Sequence, residues 1–279
     1  MPVSTDGAFR GKVVLITGAS SGIGEELAGQ LAQQGALLTL TARRAEVLAS
    51  LGQRLAEAGG PPPLVIECDV TRDGDIERAV SETVRQRGRL DIAFANAGFG
   101  VAGPFARLSL ADYRRQFETN VLGVLRTLYA ALPEVTRTRG QLVITGSVAG
   151  WVAVPGVSAY AMSKFALRAL ANSITPELAQ QGVALTLLSP GFVESNIRRV
   201  DNRGTLHADA PEPLPAWLVV SRHRAARQIL RAVARRRREV IITGHGRLLV
   251  TLERLAPWIM RAVSRRMAAR GGGYRSEPV

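Results

Sequence analysis

One short stretch carries the most structural information in this chain: Lys12-Val-Val-Leu-Ile-Thr17-Gly18-Ala-Ser-Ser-Gly22-Ile-Gly24. Its apolar first half predicts a buried strand, and its glycine-rich second half predicts a tight turn into a helix. Glycines let a backbone approach a pyrophosphate closely, and the N-terminus of the following helix favours negative charge. The stretch therefore predicts a dinucleotide-binding turn, and a tight turn without a ligand is the alternative interpretation. The predicted contact residues are Gly18, Ser20, Ser21, Gly22, Ile23 and Gly24.

Outward from this turn, apolar runs alternate with helical patterns along most of the chain. Further strands are predicted at residues 36–41, 64–68, 90–95, 141–145, 183–188 and 240–243, and helices at residues 25–34, 45–58, 75–87, 111–132 and 159–180. Strands that are buried on both faces and alternate with helices are typical of a parallel sheet covered by helices on both sides. The predicted fold class is therefore α/β, with a doubly wound parallel sheet.

Composition and hydropathy narrow the class of protein. Hydrophobic residues make up 46% of the 279 residues, which is enough for one substantial core. Cys68 is the only cysteine, so no intrachain disulfide can form, as expected in a reducing compartment. The N-terminus lacks the pattern of a secretory signal, and the longest uncharged run, residues 140–163, contains glycines and a proline that are atypical of a membrane span. We therefore expect a cytoplasmic protein.

The positive charge is concentrated near the C-terminus. Residues 222–275 contain 15 arginines and two carboxylates, whereas residues 1–221 contain 21 basic and 20 acidic residues. A nearly neutral main body argues against a nucleic-acid-binding protein. The excess positive charge is therefore confined to the C-terminal fifth of the chain.

This basic region has an amphipathic helical pattern with a kink expected at Pro257. Apolar residues follow helical spacing on one face and arginines lie on the other, namely Leu248, Leu252, Leu255, Ile259, Val263 and Met267, against Arg247, Arg254, Arg261 and Arg265. Three interpretations are open. The helix packs on this chain or on a second subunit, attaches peripherally to anionic lipid, or docks an acidic partner such as an acyl carrier protein.

Two arginines follow the second predicted strand, where a carboxylate would bind the ribose 2′-hydroxyl of NAD. A guanidinium group matches a phosphate in charge and geometry. Arg43 and Arg44 therefore predict NADP(H) as the cofactor, bound through its 2′-phosphate, with NAD(H) as the alternative. The other interpretation is that both arginines are solvated residues at the start of a helix.

A phenol and an ammonium group lie one helical turn apart in Tyr160-Ala-Met-Ser-Lys164. An isolated phenol has a pKa near ~10, and a nearby cation is expected to lower it, which makes Tyr160 a usable general acid or base. Ser147 follows the fifth predicted strand and could hold a carbonyl oxygen on which negative charge develops. Asn120 could orient a water molecule beside Lys164. Each residue also has an ordinary structural interpretation, and their combination is what predicts a catalytic site.

Together these motifs resemble those of the classical short-chain dehydrogenase/reductase family, over roughly residues 10–200. The resemblance implies four active-site residues, namely Asn120, Ser147, Tyr160 and Lys164. It also implies that Tyr160 and Lys164 contact the cofactor together with Asp69, Val70, Asn96, Ala97, Gly98, Pro190, Gly191, Val193 and Ser195. The chain departs from the family pattern at Ala95, where Asn is frequent, and at Ser195, where Thr is usual.

The resemblance further implies a single-domain Rossmann-type fold with about seven parallel strands in the order 3-2-1-4-5-6-7, and a homodimer or homotetramer. Pro176 lies in a helix that the family commonly uses for subunit packing, and we expect it to kink or restart that helix. On this basis residues 1–246 form the catalytic domain, and residues 247–279 form the basic amphipathic C-terminal extension.

Residues 192–218 occupy the position of the family's variable substrate loop. An apolar pocket is expected where Phe99, Trp151, Val152, Val154, Phe192 and Trp217 converge. The predicted reaction is an NADP(H)-dependent interconversion of a carbonyl and an alcohol, running as the reduction of a lipophilic ketone or aldehyde. The alternatives are a 3-ketoacyl thioester reductase that acts on an acyl carrier protein, and a non-catalytic NADP(H)-binding regulator. Neither a metal ion nor a nucleic acid is expected to take part.

Overall fold

The computed structural model describes residues 7–207, 209 and 214–269. In this part of the chain one parallel sheet contains the strands β1 (Val13–Thr17), β2 (Leu37–Ala42), β3 (Leu64–Glu67), β4 (Ile92–Ala95), β5 (Gln141–Thr145), β6 (Ala184–Ser189) and β7 (Glu239–Ile241). Their order is β3-β2-β1-β4-β5-β6-β7. The register places Val13 opposite Leu37 and Val14 opposite Ile92. The predicted fold class and strand order are confirmed.

Helices cover both faces of the sheet. The described residues form α1 (Gly22–Gln33), α2 (Ala45–Glu57), α3 (Asp75–Arg87), α4 (Leu110–Phe117), α5 (Gly123–Arg137), α6 (Ser158–Gln180), α7 (Arg222–Ala234), α8 (Gly244–Leu255) and α9 (Pro257–Ala269). The helical pattern of α7 was not recognised in the sequence. Its arginines conceal a buried apolar face that includes Ala225, Ile229 and Val233.

Each face of the sheet has its own core, because alternate residues of a strand point to opposite sides. On one face Val14 and Ile16 pack with α1, α2 and α7, and on the other Val13 and Leu15 pack with α3, α5 and α6. All four side chains are at most 1% exposed. Each such aliphatic side chain contributes about 1.5–3 kcal/mol on burial. The two cores hold the carboxyl ends of the strands at one edge, where ligands bind in this architecture.

The single helix predicted at residues 111–132 is wrong in two respects. A π-helical turn, Glu118–Leu122, joins α4 to α5, and α5 continues through Pro133 to Arg137. Such turns are rare and are frequently found at functional sites. Asn120 lies in the middle of this turn.

Of the two outcomes expected at Pro176, a restart of the helix is wrong, because α6 is continuous from Ser158 to Gln180. A kink at Pro176 stays a prediction. A proline has no N–H group to donate to the carbonyl group four residues earlier. In α6 that carbonyl belongs to Asn172. Arg238 Nη2 donates to it over 3.5 Å, and to the side-chain oxygen of Asn172 over 3.3 Å. Arg238 therefore partly replaces the hydrogen bond that Pro176 removes.

α8 and α9 form the described part of the predicted C-terminal extension. The interruption at Pro257 is confirmed, because Pro257 is the first residue of α9, where a missing N–H group removes no helical hydrogen bond. Val250 and Met260 are buried against Val148 and Trp151, so part of the apolar face packs on this chain. Other apolar side chains are exposed, namely Leu248, Leu255, Trp258 and Val263. Residues 270–279 of the extension lie outside the described residues.

Among the described residues, no helix combines the length and the apolar character that crossing a membrane requires. The predicted substrate loop, residues 192–218, is described except for residues 208 and 210–213. It contains two short 3₁₀ turns, Asn196–Arg199 and Ala216–Leu218.

Candidate active site

The glycine-rich turn lies between β1 and α1, where the backbone is too crowded for larger residues. Gly18 and Gly22 have positive φ angles of 66° and 60°. A Cβ atom on Gly18 would lie 2.8 Å from Ala97 Cα, and one on Gly24 would lie 2.5 Å from the Gly18 carbonyl oxygen. A Cβ atom on Gly22 would lie 3.3 Å from Ser195 Cβ. The close approaches show that three predicted cofactor segments lie next to one another, namely the glycine-rich turn, the segment of Ala97 and the segment of Ser195.

The other residues of the turn have different surroundings. Ile23 packs against the core beneath the turn. Ser21 precedes α1 but its side chain does not cap that helix, so the N–H groups of the first turn are available to an anion. Arg44 Nη2 donates to the hydroxyl and carbonyl oxygens of Ser20, over 3.0 Å and 3.3 Å. Arg44 therefore lies directly over the glycine-rich turn.

Arg43 is exposed and extends beside the substrate loop. A Cβ atom on Gly204 would lie 4.0 Å from Arg43 Nη2. Within the described residues, the Arg43 and Arg44 guanidinium groups form no ion pair with a carboxylate. Both positive charges therefore face solvent beside β2 without neutralisation.

A threonine hydroxyl joins the glycine-rich turn to β4. Thr17 Oγ1 accepts hydrogen bonds from the N–H groups of Asn96, over 2.9 Å, and Ala97, over 3.1 Å. Asn96 Nδ2 donates to the Thr17 carbonyl over 3.0 Å, and Thr145 Oγ1 donates to Asn96 Oδ1 over 3.1 Å. Thr17 and Thr145 thus hold the ends of β1, β4 and β5 together. Sequence reasoning missed both, although hydroxyl residues at the ends of predicted strands are a usable signal.

Asp69 and Val70 follow β3 and differ in their contacts. Asp69 Oδ1 accepts from the Thr71 N–H and hydroxyl groups over 3.0 Å and 2.8 Å, and its own N–H donates to Asp75 Oδ2 over 2.8 Å. Val70 is 6% exposed and packs on Gly123, where a Cβ atom would lie 2.7 Å away. A cofactor contact by Val70 would therefore involve its backbone.

Lys164 extends from α6 to the carboxyl end of β5 and is 6% exposed. Its Nζ donates to the Thr145 carbonyl over 2.8 Å and lies 5.6 Å from the centroid of the Tyr160 ring. Burial lowers the pKa of Lys164 to about 8, because the ammonium group loses its hydration. Lys164 therefore carries its charge at neutral pH and loses it as the pH rises above about 8.

The predicted lowering of the Tyr160 pKa is wrong. Burial raises the pKa of this phenol, and that effect outweighs the lowering by the hydrogen bond with Ser147 and by the charge of Arg198. The Lys164 ammonium group donates to the Thr145 carbonyl and not to the phenol, so its charge does not offset the effect of burial. Tyr160 is therefore protonated at neutral pH and suits the role of proton donor.

Ser147 links the end of β5 to the loop that begins at Pro190. Its Oγ accepts from the Ala149 N–H group over 3.1 Å and donates to the Pro190 carbonyl over 3.5 Å. The same hydroxyl is close enough to the Tyr160 phenol to lower its pKa. The structure therefore brings Ser147, Tyr160 and Lys164 together at the carboxyl end of the sheet.

Asn120 is buried next to these residues, and its side chain contacts Phe99 and Ser163. That it orients a water molecule beside Lys164 stays a prediction. Nδ2 donates to the Phe99 carbonyl over 3.0 Å and to the Ser163 hydroxyl over 3.2 Å, and Oδ1 accepts from the Phe99 N–H group over 3.1 Å. Both donors of the amide are engaged, and the side chain fixes the backbone at Phe99 and the adjacent Gly98.

A histidine that sequence reasoning missed holds the predicted nicotinamide loop. The Phe192 N–H group donates to His245 Nε2 over 2.9 Å, and the two rings stack with centroids 5.3 Å apart. A Cβ atom on Gly191 would lie 2.5 Å from His245 Nε2. Burial lowers the pKa of His245, so the ring is neutral and Nε2 can accept. Val193, in the same loop, is 3% exposed.

Replacing His245 with alanine is expected to raise the KM for the dinucleotide about tenfold, because the Phe192 N–H group loses its acceptor and the loop its stacking partner. His245→Gln keeps an acceptor near the position of Nε2 and should recover most of the loss. Steady-state kinetics of the two variants test this. Equal KM values for His245→Ala and the wild type would show that the contact does not position the loop.

The expected apolar pocket does not form from the six predicted side chains. Trp151 and Val152 are buried in the cluster beneath α8 and α9, with Val154 packed against it. Phe192 stacks on His245, and the Trp217 side chain is 83% exposed. The six residues are distributed between the core and the surface, because they belong to segments that pack on different neighbours.

The parallel sheet and the glycine-rich turn at the end of β1 define a Rossmann-type protein. A family of known sequences described as short chain dehydrogenase matches residues 12–205. The 11-beta-hydroxysteroid dehydrogenase-like 4A protein of Arabidopsis thaliana is 34% identical over 251 residues, which cover 90% of this chain and 82% of the relative. The chain belongs to the short-chain dehydrogenase/reductase family of oxidoreductases.

Solved structures agree with this assignment. A short chain dehydrogenase/reductase from Burkholderia phymatum, in complex with NAD, aligns with a TM-score of 0.80 and 25% identity, over 90% of this chain and 96% of that one. An alcohol dehydrogenase from the archaeon Thermococcus sibiricus, complexed with 5-hydroxy-NADP, aligns with a TM-score of 0.72 and 28% identity, over 82% of this chain and 95% of that one.

Proposed function

We propose that this chain is an NADP(H)-dependent oxidoreductase that interconverts a carbonyl and an alcohol, and that it reduces a lipophilic ketone or aldehyde. The observation that carries the proposal is the meeting of Tyr160, Ser147 and Lys164 at the carboxyl ends of the strands. A protonated phenol, a neighbouring hydroxyl group and a buried ammonium group are suited to proton transfer onto a carbonyl oxygen.

The three residues have different roles in the proposed reduction. Ser147 donates a hydrogen bond to the carbonyl oxygen and holds it in place. Tyr160 transfers its proton to that oxygen as negative charge develops there. Lys164 stabilises the phenolate that is left on Tyr160 and binds the ribose. Bound NADPH supplies the hydride that the carbonyl carbon receives.

The residues around the glycine-rich turn fit a dinucleotide. Gly18 and Gly24 have no room for a Cβ atom, and the first N–H groups of α1 lack a side-chain cap from Ser21. A pyrophosphate can approach such a turn closely. Arg43 and Arg44 lie beside the turn without a carboxylate partner among the described residues. We propose that they bind the 2′-phosphate of NADP(H), and NAD(H) is the alternative.

Replacing Arg43 with aspartate is expected to raise the Kd for NADPH by about tenfold or more, and the Kd for NADH much less, because a charge-assisted contact to the 2′-phosphate becomes a repulsion. Fluorescence titration with both dinucleotides measures the two constants. Arg261→Asp, an equal change of charge on the exposed surface of α9, is the control. If Arg43→Asp raised the Kd for NADPH and the Kd for NADH equally, Arg43 would not contact the 2′-phosphate.

The substrate class is tested by NADPH oxidation with a panel of ketones, aldehydes and ketoacyl thioesters. The relative named as an 11-beta-hydroxysteroid dehydrogenase-like protein supports a lipophilic carbonyl compound. Turnover of thioesters alone would favour the 3-ketoacyl thioester reductase, for which the basic C-terminal helices support an acidic carrier. Binding of NADPH without turnover of any compound would favour the non-catalytic regulator.

We also propose that the protein is cytoplasmic and that it forms a homodimer or homotetramer. Apolar side chains on and beside α5 and α6 are exposed, which supports a subunit interface there, namely Leu122, Tyr129, Met162 and Phe165. Peripheral contact with an anionic membrane or an acidic carrier protein is proposed only for the exposed part of α8 and α9.

A further inference from the structure

A cavity of about 530 Å³ lies between α7, β7 and α8. Ligand-binding pockets commonly measure roughly 300–1,000 Å³. Five arginines line this cavity, namely Arg231, Arg235, Arg237, Arg247 and Arg254. None of the catalytic or cofactor residues predicted from the sequence lines it. The cavity therefore shares no lining residue with the candidate active site.

Within the described part of the chain, carboxylates offset the positive charge of this cavity only in part. Among the described residues, none of the five lining arginines forms an ion pair. Glu239 is the one lining carboxylate among those residues, and its Oε1 lies 3.8 Å from Arg168 Nε, outside the group of five. Burial raises the pKa of Glu239, and the charges of Arg168, Arg254 and Arg238 act in the opposite direction. Guanidinium groups held together without counter-charges favour a bound anion.

Part of the cavity is held rigidly. Arg247 Nε donates to the Ile241 carbonyl over 3.1 Å. The guanidinium carbon of Arg254 lies 4.1 Å from the centroid of the Trp151 ring, and that of Arg168 lies 3.3 Å from it. Stacking on an aromatic ring restricts a guanidinium group and leaves its N–H groups directed outward. Trp151 and Ile241 also give the wall apolar surface.

We infer that this cavity binds a soluble organic anion that carries one or more phosphate groups. A phosphate ester carries about −1.5 to −2 charges at neutral pH, which matches several guanidinium groups better than a single carboxylate does. The planar N–H fork of arginine binds two phosphate oxygens at once. The cavity exceeds the size of one phosphate group, so the organic part of the ligand would lie against the aliphatic side chains of Val240 and Ile241.

The inference is tested with the full-length chain by calorimetric titration of inorganic pyrophosphate, at constant ionic strength and with NADP⁺ present to occupy the dinucleotide turn. Wild-type protein is expected to bind pyrophosphate at one site. Arg231→Gln with Arg235→Gln should raise the Kd about tenfold or more. Arg224→Gln with Arg227→Gln removes the same charge from the exposed surface of α7 and should change the Kd by less than about twofold.

Thermal unfolding shows whether each double variant is folded, and the single variants Arg231→Gln and Arg235→Gln serve if the double variant is not. No pyrophosphate binding by the wild type, or equal weakening in the cavity and control variants, would overturn the inference. Vesicles of phosphatidic acid provide the second arm. Binding to vesicles without binding to pyrophosphate would also overturn it, because the arginines would then serve a membrane surface. None of these outcomes depends on whether the chain reduces a carbonyl.

Discussion

Replacing Tyr160 with phenylalanine is expected to lower kcat for carbonyl reduction by about 10²–10⁴-fold, the contribution of a positioned general acid. Phenylalanine keeps the ring and its packing but removes the proton donor. The raised pKa of Tyr160 keeps the phenol protonated at neutral pH, so the whole wild-type population can donate. Steady-state oxidation of NADPH with the most active compound of the panel measures the loss.

The control for this change is Tyr129→Phe, because Tyr129 is 72% exposed on α5 and its hydroxyl group lies outside the candidate site. Its kcat should match that of the wild type. NADPH binding by Tyr160→Phe should change by no more than about threefold, so that the loss lies in the chemical step. An unchanged kcat for a folded Tyr160→Phe variant would remove the proposed mechanism.

Replacing Lys164 with methionine is expected to have the second large effect. The kcat should fall about 10²-fold, and the Kd for NADPH should rise. Methionine fills similar volume without charge, so the phenolate left on Tyr160 loses its stabilising cation. Because the pKa of Lys164 is about 8, the wild-type rate of reduction should decline as the pH rises above that value. Lys12→Met is the control, since the side chain of Lys12 is 47% exposed and pairs with Asp91.

The same group links stability to pH in a defined direction. The pKa of Lys164 is about 8 in the folded chain and 10.5 without the fold, so the unfolded chain binds more protons between these values. The free energy of unfolding of the wild type should therefore rise with pH over that interval, relative to Lys164→Met. Denaturant unfolding at several pH values measures the difference. Parallel pH profiles for the two proteins would show that Lys164 is not buried as a charged group.

Most of the fold could be predicted because it depends on patterns that are local in sequence. The run from Lys12 to Gly24 contains a strand and a turn whose form depends on apolar spacing and glycine. The errors have one local and one long-range cause. Arginines hid the amphipathic pattern of α7, and the carbonyl freed by Pro176 accepts a hydrogen bond from Arg238, which lies 66 residues away in sequence from Asn172.

The sequence predicted which residue types form the candidate site. It did not predict their burial, their pKa shifts or their hydrogen-bond partners. Tyr160 and Lys164 are one helical turn apart, so their proximity follows from the sequence. The direction of the Tyr160 pKa depends on how much water the folded chain excludes, and the partner of Lys164 is a carbonyl from another element, Thr145. Neither the shift of the Tyr160 pKa nor the partner of Lys164 follows from the spacing of residues in the sequence.

By itself, the amino-acid sequence determined the α/β class, the strand order through family resemblance, and the residues that meet at the carboxyl ends of the strands. The tertiary structure alone decided that Tyr160 is held protonated, that His245 supports the loop at Phe192, and that arginines from α7, from the segment between α7 and β7, and from α8 surround one cavity. The physical reason is the sequence separation over which each interaction acts. Hydrogen bonding within a turn and helical periodicity act between near neighbours, whereas desolvation and charge clustering depend on distant segments that only the packed chain brings together.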